Sequence, residues 1–161
     1  PIVMPKASEQ VDFEGEIGVR IGKQARNVSA ANAWDYVDGL MALNDVTARD
    51  LQNKDGQWSR AKGFDTFCPI GSVVPLAEVD LGVLSVTTRV NGEVRQESGA
   101  DDMVFDIPTL IEYVSHVMTL EPGDLIATGT PHGIGPLQQG DQVEVEVGGV
   151  GSVVNPVIAS T

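Results

Sequence analysis

Two glutamates near the start of this chain, Glu14 and Glu16, have the spacing to hold a cation between them. Asp12, Glu14 and Glu16 alternate through VDFEGEIGVRIG, Val11–Gly22. Alternate residues of a β-strand share a face, so the three carboxylates are expected to project together. The other register carries Val11 and Phe13 and, after a switch at Glu16–Ile17, Ile17, Val19 and Ile21, a lining suited to a core. Neighbouring carboxylates repel, which raises at least one carboxyl pKa unless positive charge sits among them. A hard divalent cation such as Mg²⁺ or Mn²⁺ supplies that charge through oxygen ligands. The competing reading is an edge strand with a solvated acidic face. Asp45 is the candidate third ligand, because it follows the apolar run Leu40–Leu43 and opens the polar segment NDVTARD, Asn44–Asp50. For Asp45 or Asp50 the structural alternative is to cap a helical turn or to pair with Arg49.

Other chemistry-bearing residues are less specific. Gln52, Arg60 and Lys62 lie in Leu51–Asp65, a polar stretch with Gly56 and Gly63 that reads as a loop. A lysine in such a loop is ordinary solvated surface by default. Gly129–Gly135, GTPHGIG, reads as a tight loop whose backbone N–H groups can approach an anion. It lacks the Rossmann and Walker spacings and a surrounding βαβ unit, so nucleotide binding is not expected. His132 in this loop could be a ligand or a base, although a lone loop histidine is commonly neither. Cys68, in FCPIG, has no obvious base nearby and is expected as a packed thiol rather than a nucleophile.

Composition bounds the classes open to the chain. Its 161 residues, 42% hydrophobic and 20% charged, suit one globular domain with its own core. A net charge of −13 argues against nucleic acid or an anionic membrane as partner, since phosphate binding needs a basic face. A single cysteine cannot form an internal disulfide and points to a reducing, cytoplasmic compartment. No run is long and apolar enough to span a bilayer, and no signal peptide is evident. The chain begins at Pro1 rather than methionine and reads as trimmed or as part of something longer.

The elements that must position these residues follow from periodicity. After the Glu14/Glu16 strand, Ser29 reads as the N-cap of a short helix over Ala30–Val37, with Trp34 and Val37 inward and Gly39 as its stop. A buried strand is expected at Leu40–Leu43 and a short one, broken by Pro75, at Ile70–Leu76. Leu84–Val90 and Glu93–Gln96 flank Asn91-Gly92, a strong type I′ hairpin signal. Asp106 caps a helix with Pro108 in its first turn and Leu110, Ile111, Val114, Val117 and Met118 at helical spacing. Leu125–Thr128 is a strand feeding the glycine loop. In Gln142–Val147 three valines alternate with Glu144 and Glu146, which read as a solvated sheet face. Val153–Ile158 closes the chain. Two helices against about eight short strands predict a β-rich α+β domain with a rolled or sandwiched sheet.

Taken in order, FEGEI, GLMALNDVTARDLQ, AKGFDTFCPIG, VNGEVRQ, LEPGDLIATGTPHGIG and GVGSVVNP resemble the catalytic domain of the fumarylacetoacetate hydrolase superfamily. Each motif alone is weak, whereas the ordered set over Val11–Pro156 is specific. It is similar to bacterial members acting on 2-oxo acids: acylpyruvate hydrolases, oxaloacetate decarboxylases or tautomerases, and the isomerases and decarboxylases of homoprotocatechuate breakdown, such as 2-hydroxyhepta-2,4-diene-1,7-dioate isomerase. The resemblance implies a mixed β-sandwich roll, a homodimer, Mg²⁺ or Mn²⁺ as cofactor, and a small-molecule 2-oxo acid as substrate. Carried over, the metal ligands fall on Glu14, Glu16 and Asp45. The pocket glutamine falls on Gln52, the catalytic lysine on Lys62, and the substrate-holding glycine loop on Gly129 and Thr130. Arg49 and Asp65, which also match, are read as structural. Hydrolases of the family carry a histidine–glutamate pair in a lid upstream of the E-x-E strand. No histidine precedes His116, so residues 1–161 read as a single catalytic domain without that lid. The expected function is enolate chemistry on a 2-oxo or 2-hydroxy-enol dicarboxylic acid: isomerisation or tautomerisation, decarboxylation, or C–C hydrolysis left open. The alternatives are a catalytically silent or dimerisation half of a fused enzyme, and a cation-binding regulatory module.

Overall fold

Asn91 and Gly92 adopt φ values of 54° and 82°, the double left-handed turn that a two-residue hairpin needs. The hairpin they close belongs to the larger of two facing sheets. The structure is a computed structural model, and it describes residues 1–160. In chain order its strands and helices are β1 (Ile2–Met4), β2 (Val11–Phe13), β3 (Gly15–Ile21), β4 (Val37–Asn44), β5 (Thr47–Ala48), α1 (Arg49–Asp55), α2 (Ser59–Lys62), β6 (Val74–Pro75), β7 (Ser85–Val90), β8 (Glu93–Gly99), α3 (Ile107–Val117), β9 (Leu125–Ala127), β10 (Gly135–Pro136), β11 (Gln142–Val147) and β12 (Gly151–Ala159). Short 3₁₀ turns, the longest over Ala30–Tyr36, link some of them.

The five-stranded sheet has the order β1-β12-β11-β7-β8, and β1 pairs parallel with β12 while its other pairs are antiparallel. A four-stranded sheet, β6-β4-β3-β9, faces it, and a three-stranded one, β10-β2-β5, lies at one end. The main core fills the space between. Ile17, Val19, Leu40 and Ala42 meet Val86, Val145 and Val147, and α3 closes one side with Ile107 and Ile111. A second cluster, including Ile2, Val11, Phe13, Val46 and Val143, sits under the small sheet. Burying Leu40 and Leu43 alone contributes about 2 kcal/mol each by removing their side chains from water. The expected β-rich α+β sandwich is the architecture present.

Several local expectations differ. Leu51–Asp65 is not a loop: α1 and α2 occupy much of it, and Gly56, at φ 67°, is the left-handed C-cap of α1. An Arg60–Asp55 ion pair, 2.6 Å, ties the two short helices together at the surface. Ser29 makes no side-chain cap bond, Val37 belongs to β4, and Gly39 lies inside that strand, packed against β6. In α3 the Asp106 carboxylate accepts from the Thr109 amide as expected. Val117 and Met118 are exposed, because the helix packs through Ile107, Ile111 and Ser115 and its last turn overhangs the core. Cys68 is exposed rather than packed. From Ile70–Leu76 only Val74–Pro75 forms a strand, with Ile70 making an isolated bridge to Leu43.

Candidate active site

The acidic segment is two strands, not one, and the break between them falls on Glu14. β2 pairs with β5 up to Asp12–Thr47, while β3 pairs with β4 from Gly15–Asn44 onward. The partner strand breaks at the same level, where β4 ends at Asn44 and β5 begins at Thr47. Two opposed breaks thus bring Glu14 and Asp45 together. Their backbones are tied to each other: the Glu14 amide donates to the Asn44 side-chain oxygen at 2.9 Å, and the Asp45 amide donates to the Glu14 carbonyl at 2.8 Å. Glu16, one residue into β3, faces the same side as Glu14.

One carboxylate oxygen from each of Glu14, Glu16 and Asp45 lies within 4.8 Å of the others, the sole such acidic group among the described residues. Glu14 and Glu16 are 6% and 2% exposed, and β3 is an interior strand, so a solvated edge face is ruled out for this pair. Two cations approach from the α1–α2 segment. The Lys62 ammonium, at the end of α2, donates to Asp45, to Glu14 at 3.2 Å and to the Thr47 hydroxyl at 3.0 Å. Arg49, first residue of α1, donates to Glu14, to Asp12 at 2.8 Å and to the Gln52 side-chain oxygen. Glu16 receives a single N–H, from Gly129 at 2.8 Å.

The electrostatics follow from this uneven sharing. Burial pushes the Glu16 carboxyl up from 4.5 to about 7 despite the Gly129 N–H, and Asp45 and Glu14 push in the same direction. Burial alone would lower the Lys62 ammonium, but Asp45 and Glu14 outweigh it and hold the group above its ordinary value. Lys62 therefore stays cationic. Cys68 lies close enough to feel the cluster. Desolvation of its thiol, then the charges of Asp45 and Glu16, raise its pKa although the residue as a whole is exposed, so it is a poor nucleophile.

Glu14, Glu16, Asp45, Lys62, Gly129 and Thr130 line one cavity of about 340 Å³, with Trp58 and Ala127 completing it. The sequence-expected metal ligands, lysine and glycine loop are thus brought together. Gln52 lies outside that lining and braces Arg49 instead. The Thr130 hydroxyl gives its proton to the Gly15 carbonyl, 2.9 Å away, and accepts from Gln96 at 2.8 Å. His132 lines a neighbouring cavity behind the loop. Arg49, read as structural, pairs with Glu14 and buried Asp12 together. Trp58, with Lys62 5.9 Å from its ring centroid, carried no local sequence signal, and Gln96 lay in the VNGEVRQ motif without a role read from it.

Three all-oxygen donors, two of them buried and one with a raised pKa, fit a hard divalent cation better than Zn²⁺, whose sites favour nitrogen and sulfur. Fold and site together define a β-sandwich domain that presents a carboxylate cluster, a lysine and a glycine loop to one small cavity. The description "Fumarylacetoacetate (FAA) hydrolase C-terminal" matches residues 1–158, and the chain belongs to that family. An uncharacterized protein of Methanocaldococcus jannaschii is 51% identical over 96% of this chain and 65% of its own length. A mitochondrial oxaloacetate tautomerase of Mus musculus is 42% identical over 95% of this chain and 72% of its own. Among solved structures, a 5-carboxymethyl-2-hydroxymuconate delta-isomerase from Mycobacterium smegmatis superposes with a TM-score of 0.96 at 46% identity, covering all of this chain and 64% of that one. The chain therefore spans under two thirds of the archaeal relative and of the mycobacterial structure. Among the described residues no helix is long and apolar enough to cross a membrane.

Proposed function

We propose that this chain is the catalytic domain of a divalent-metal-dependent enzyme acting on 2-oxo or 2-hydroxy-enol dicarboxylic acids by enolate chemistry. Tautomerisation or isomerisation leads, with decarboxylation and C–C hydrolysis as related outcomes of the same enolate. The observation that carries this reading is the convergence of Glu14, Glu16, Asp45 and Lys62 on one cavity. The names of the mouse and mycobacterial relatives, a tautomerase and an isomerase of such acids, support it.

Glu14, Glu16 and Asp45 would hold Mg²⁺ or Mn²⁺, which supplies Lewis acidity to the substrate's oxygen atoms. Gly129 keeps the Glu16 carboxylate aimed into the cavity. Arg49 neutralises Asp12 and one oxygen of Glu14, whose other oxygen meets Lys62. Lys62, held cationic, places positive charge where an enolate oxygen would develop and can deliver a proton to it. The Trp58 ring lies beside that ammonium, its centroid 5.9 Å away. The cavity, at about 340 Å³, suits an acid of a few carbons. A catalytically silent half would have no use for this arrangement.

The test is the ultraviolet signal of enolised oxaloacetate followed with and without Mn²⁺. The expected result is Mn²⁺-dependent acceleration that is lost in Glu14→Ala. Absence of Mn²⁺-dependent turnover across a panel of oxaloacetate, hydroxydienoates and acylpyruvates would overturn the proposal.

A further inference from the structure

Gln96, in β8, is 1% exposed, and its side chain satisfies every polar atom it carries. Its oxygen accepts the Gly15 amide at 3.0 Å. Its nitrogen donates to the Thr130 hydroxyl at 2.8 Å and to the Pro131 carbonyl at 2.9 Å. The amide orientation is fixed by these partners, because the Gly15 N–H can only donate and the Pro131 carbonyl can only accept. Thr130, accepting from Gln96, passes its own proton to the Gly15 carbonyl. The two backbone polar groups of Gly15, the residue between Glu14 and Glu16, therefore both end on the Gln96–Thr130 pair. The loop also sits hard against β8: a Cβ on Gly133, at φ 99°, would lie 2.1 Å from the Arg95 carbonyl oxygen.

We propose that Gln96 is the positioning residue that fixes the glycine loop against the Glu14–Gly15–Glu16 segment, and so sets the aim of the Gly129 amide on Glu16. The hydrogen bonds of Gln96 go to Gly15, Thr130 and Pro131 rather than to Glu16 or Gly129, and it lies outside the lining of the acidic cavity. It acts through Gly15 on one side and Thr130 on the other. The consequence for metal binding rests on the proposed function, whereas the consequence for Gly129 does not.

Gln96→Met keeps the length of the side chain and removes its three hydrogen bonds. Amide hydrogen exchange on the metal-free protein reads the transmission at Gly129, with Val145 in β11 as the control for an intact sandwich. Exchange at Gly129 is expected to quicken about tenfold, as loss of the hydrogen bonds that seat the loop allows. Mn²⁺ affinity is expected to fall about tenfold, the scale typical of residues that orient metal ligands. Unchanged exchange at Gly129 in folded Gln96→Met would overturn the proposal, and so would faster exchange with Mn²⁺ affinity unchanged from a metal-binding wild type. If the wild type itself binds no Mn²⁺, the proposed function fails and the Gly129 exchange alone decides on Gln96. Should Gln96→Met not fold, Gln96→Asn takes its place, since its shorter side chain cannot span from the Gly15 amide to Thr130 and Pro131 and is expected to release the loop likewise.

Discussion

The Gly129 amide donates to the Glu16 carboxylate at 2.8 Å, so the glycine loop does bind an anion, and that anion belongs to the protein. A single N–H does not offset the burial of Glu16. The carboxyl remains up at about 7.

A pH dependence with a defined sign results. The folded-state value of Glu16 lies above the ordinary 4.5, so the metal-free fold retains a proton that the unfolded chain loses between those values. The stability due to this group is present below pH 4.5 and is lost as pH rises through about 7. The unfolding temperature without metal is expected to fall as pH rises over that window, and Glu16→Gln is expected to remove this part of the slope. Mn²⁺ binding has the opposite trend. It strengthens as pH rises to about 7, and below that value binding expels about one proton from Glu16, measurable by calorimetry in buffers of different ionisation enthalpy.

Lys62 occupies the carboxylates that a divalent cation would take. Lys62→Met removes this internal competitor and is expected to tighten Mn²⁺ binding several-fold near pH 8, roughly the effect of one opposing ionic contact. The same variant is expected to lose nearly all turnover of 2-oxo acids. Tight binding with no turnover separates a catalytic lysine from a prop of the site, for which affinity and turnover would fall together.

Arg49 compensates Asp12, which is 2% exposed, and one oxygen of Glu14. Arg49→Ala leaves a buried carboxylate unpaired and is expected to cost about 3 kcal/mol in urea unfolding. Asp12→Asn in that background is expected to recover a large part of the loss, because the amide carries no charge to strand.

Features set by neighbouring residues were legible in the sequence. Asn91-Gly92, the Asp106 cap and the valine alternation of β11 are each written within a few positions, and each is present. Glu144 and Glu146 share the spacing of Glu14 and Glu16 but lie on a continuous ladder, where Arg89 meets them at the surface. Spacing alone did not separate the pairs; the strand break at Glu14 does. The Leu51–Asp65 segment was misread because glycine serves there as a stop, with Gly56 capping α1 and Gly63 following α2. Val117 and Met118 keep helical spacing, yet they point outward while Ser115 of the same turn is the residue buried against Asn27 and Val28. The acids, Lys62 and the glycine loop could be found from motifs. The pairing of Arg49 with Asp12 and Glu14 and the bonds of Gln96 to Gly15 and Thr130 could not, since these partners lie on segments remote in the chain.

The central claim is that Glu14, Glu16 and Asp45 seat a divalent cation that presents itself to a 2-oxo acid. Oxalate mimics the planar enolate of such an acid, so titrating it calorimetrically into the protein with and without Mn²⁺, for wild type and Glu14→Ala, is the most direct test. The account predicts oxalate binding to the wild type only when Mn²⁺ is present, and none to Glu14→Ala. Oxalate binding that is indifferent to Mn²⁺, or no Mn²⁺ uptake by the wild type, would contradict it.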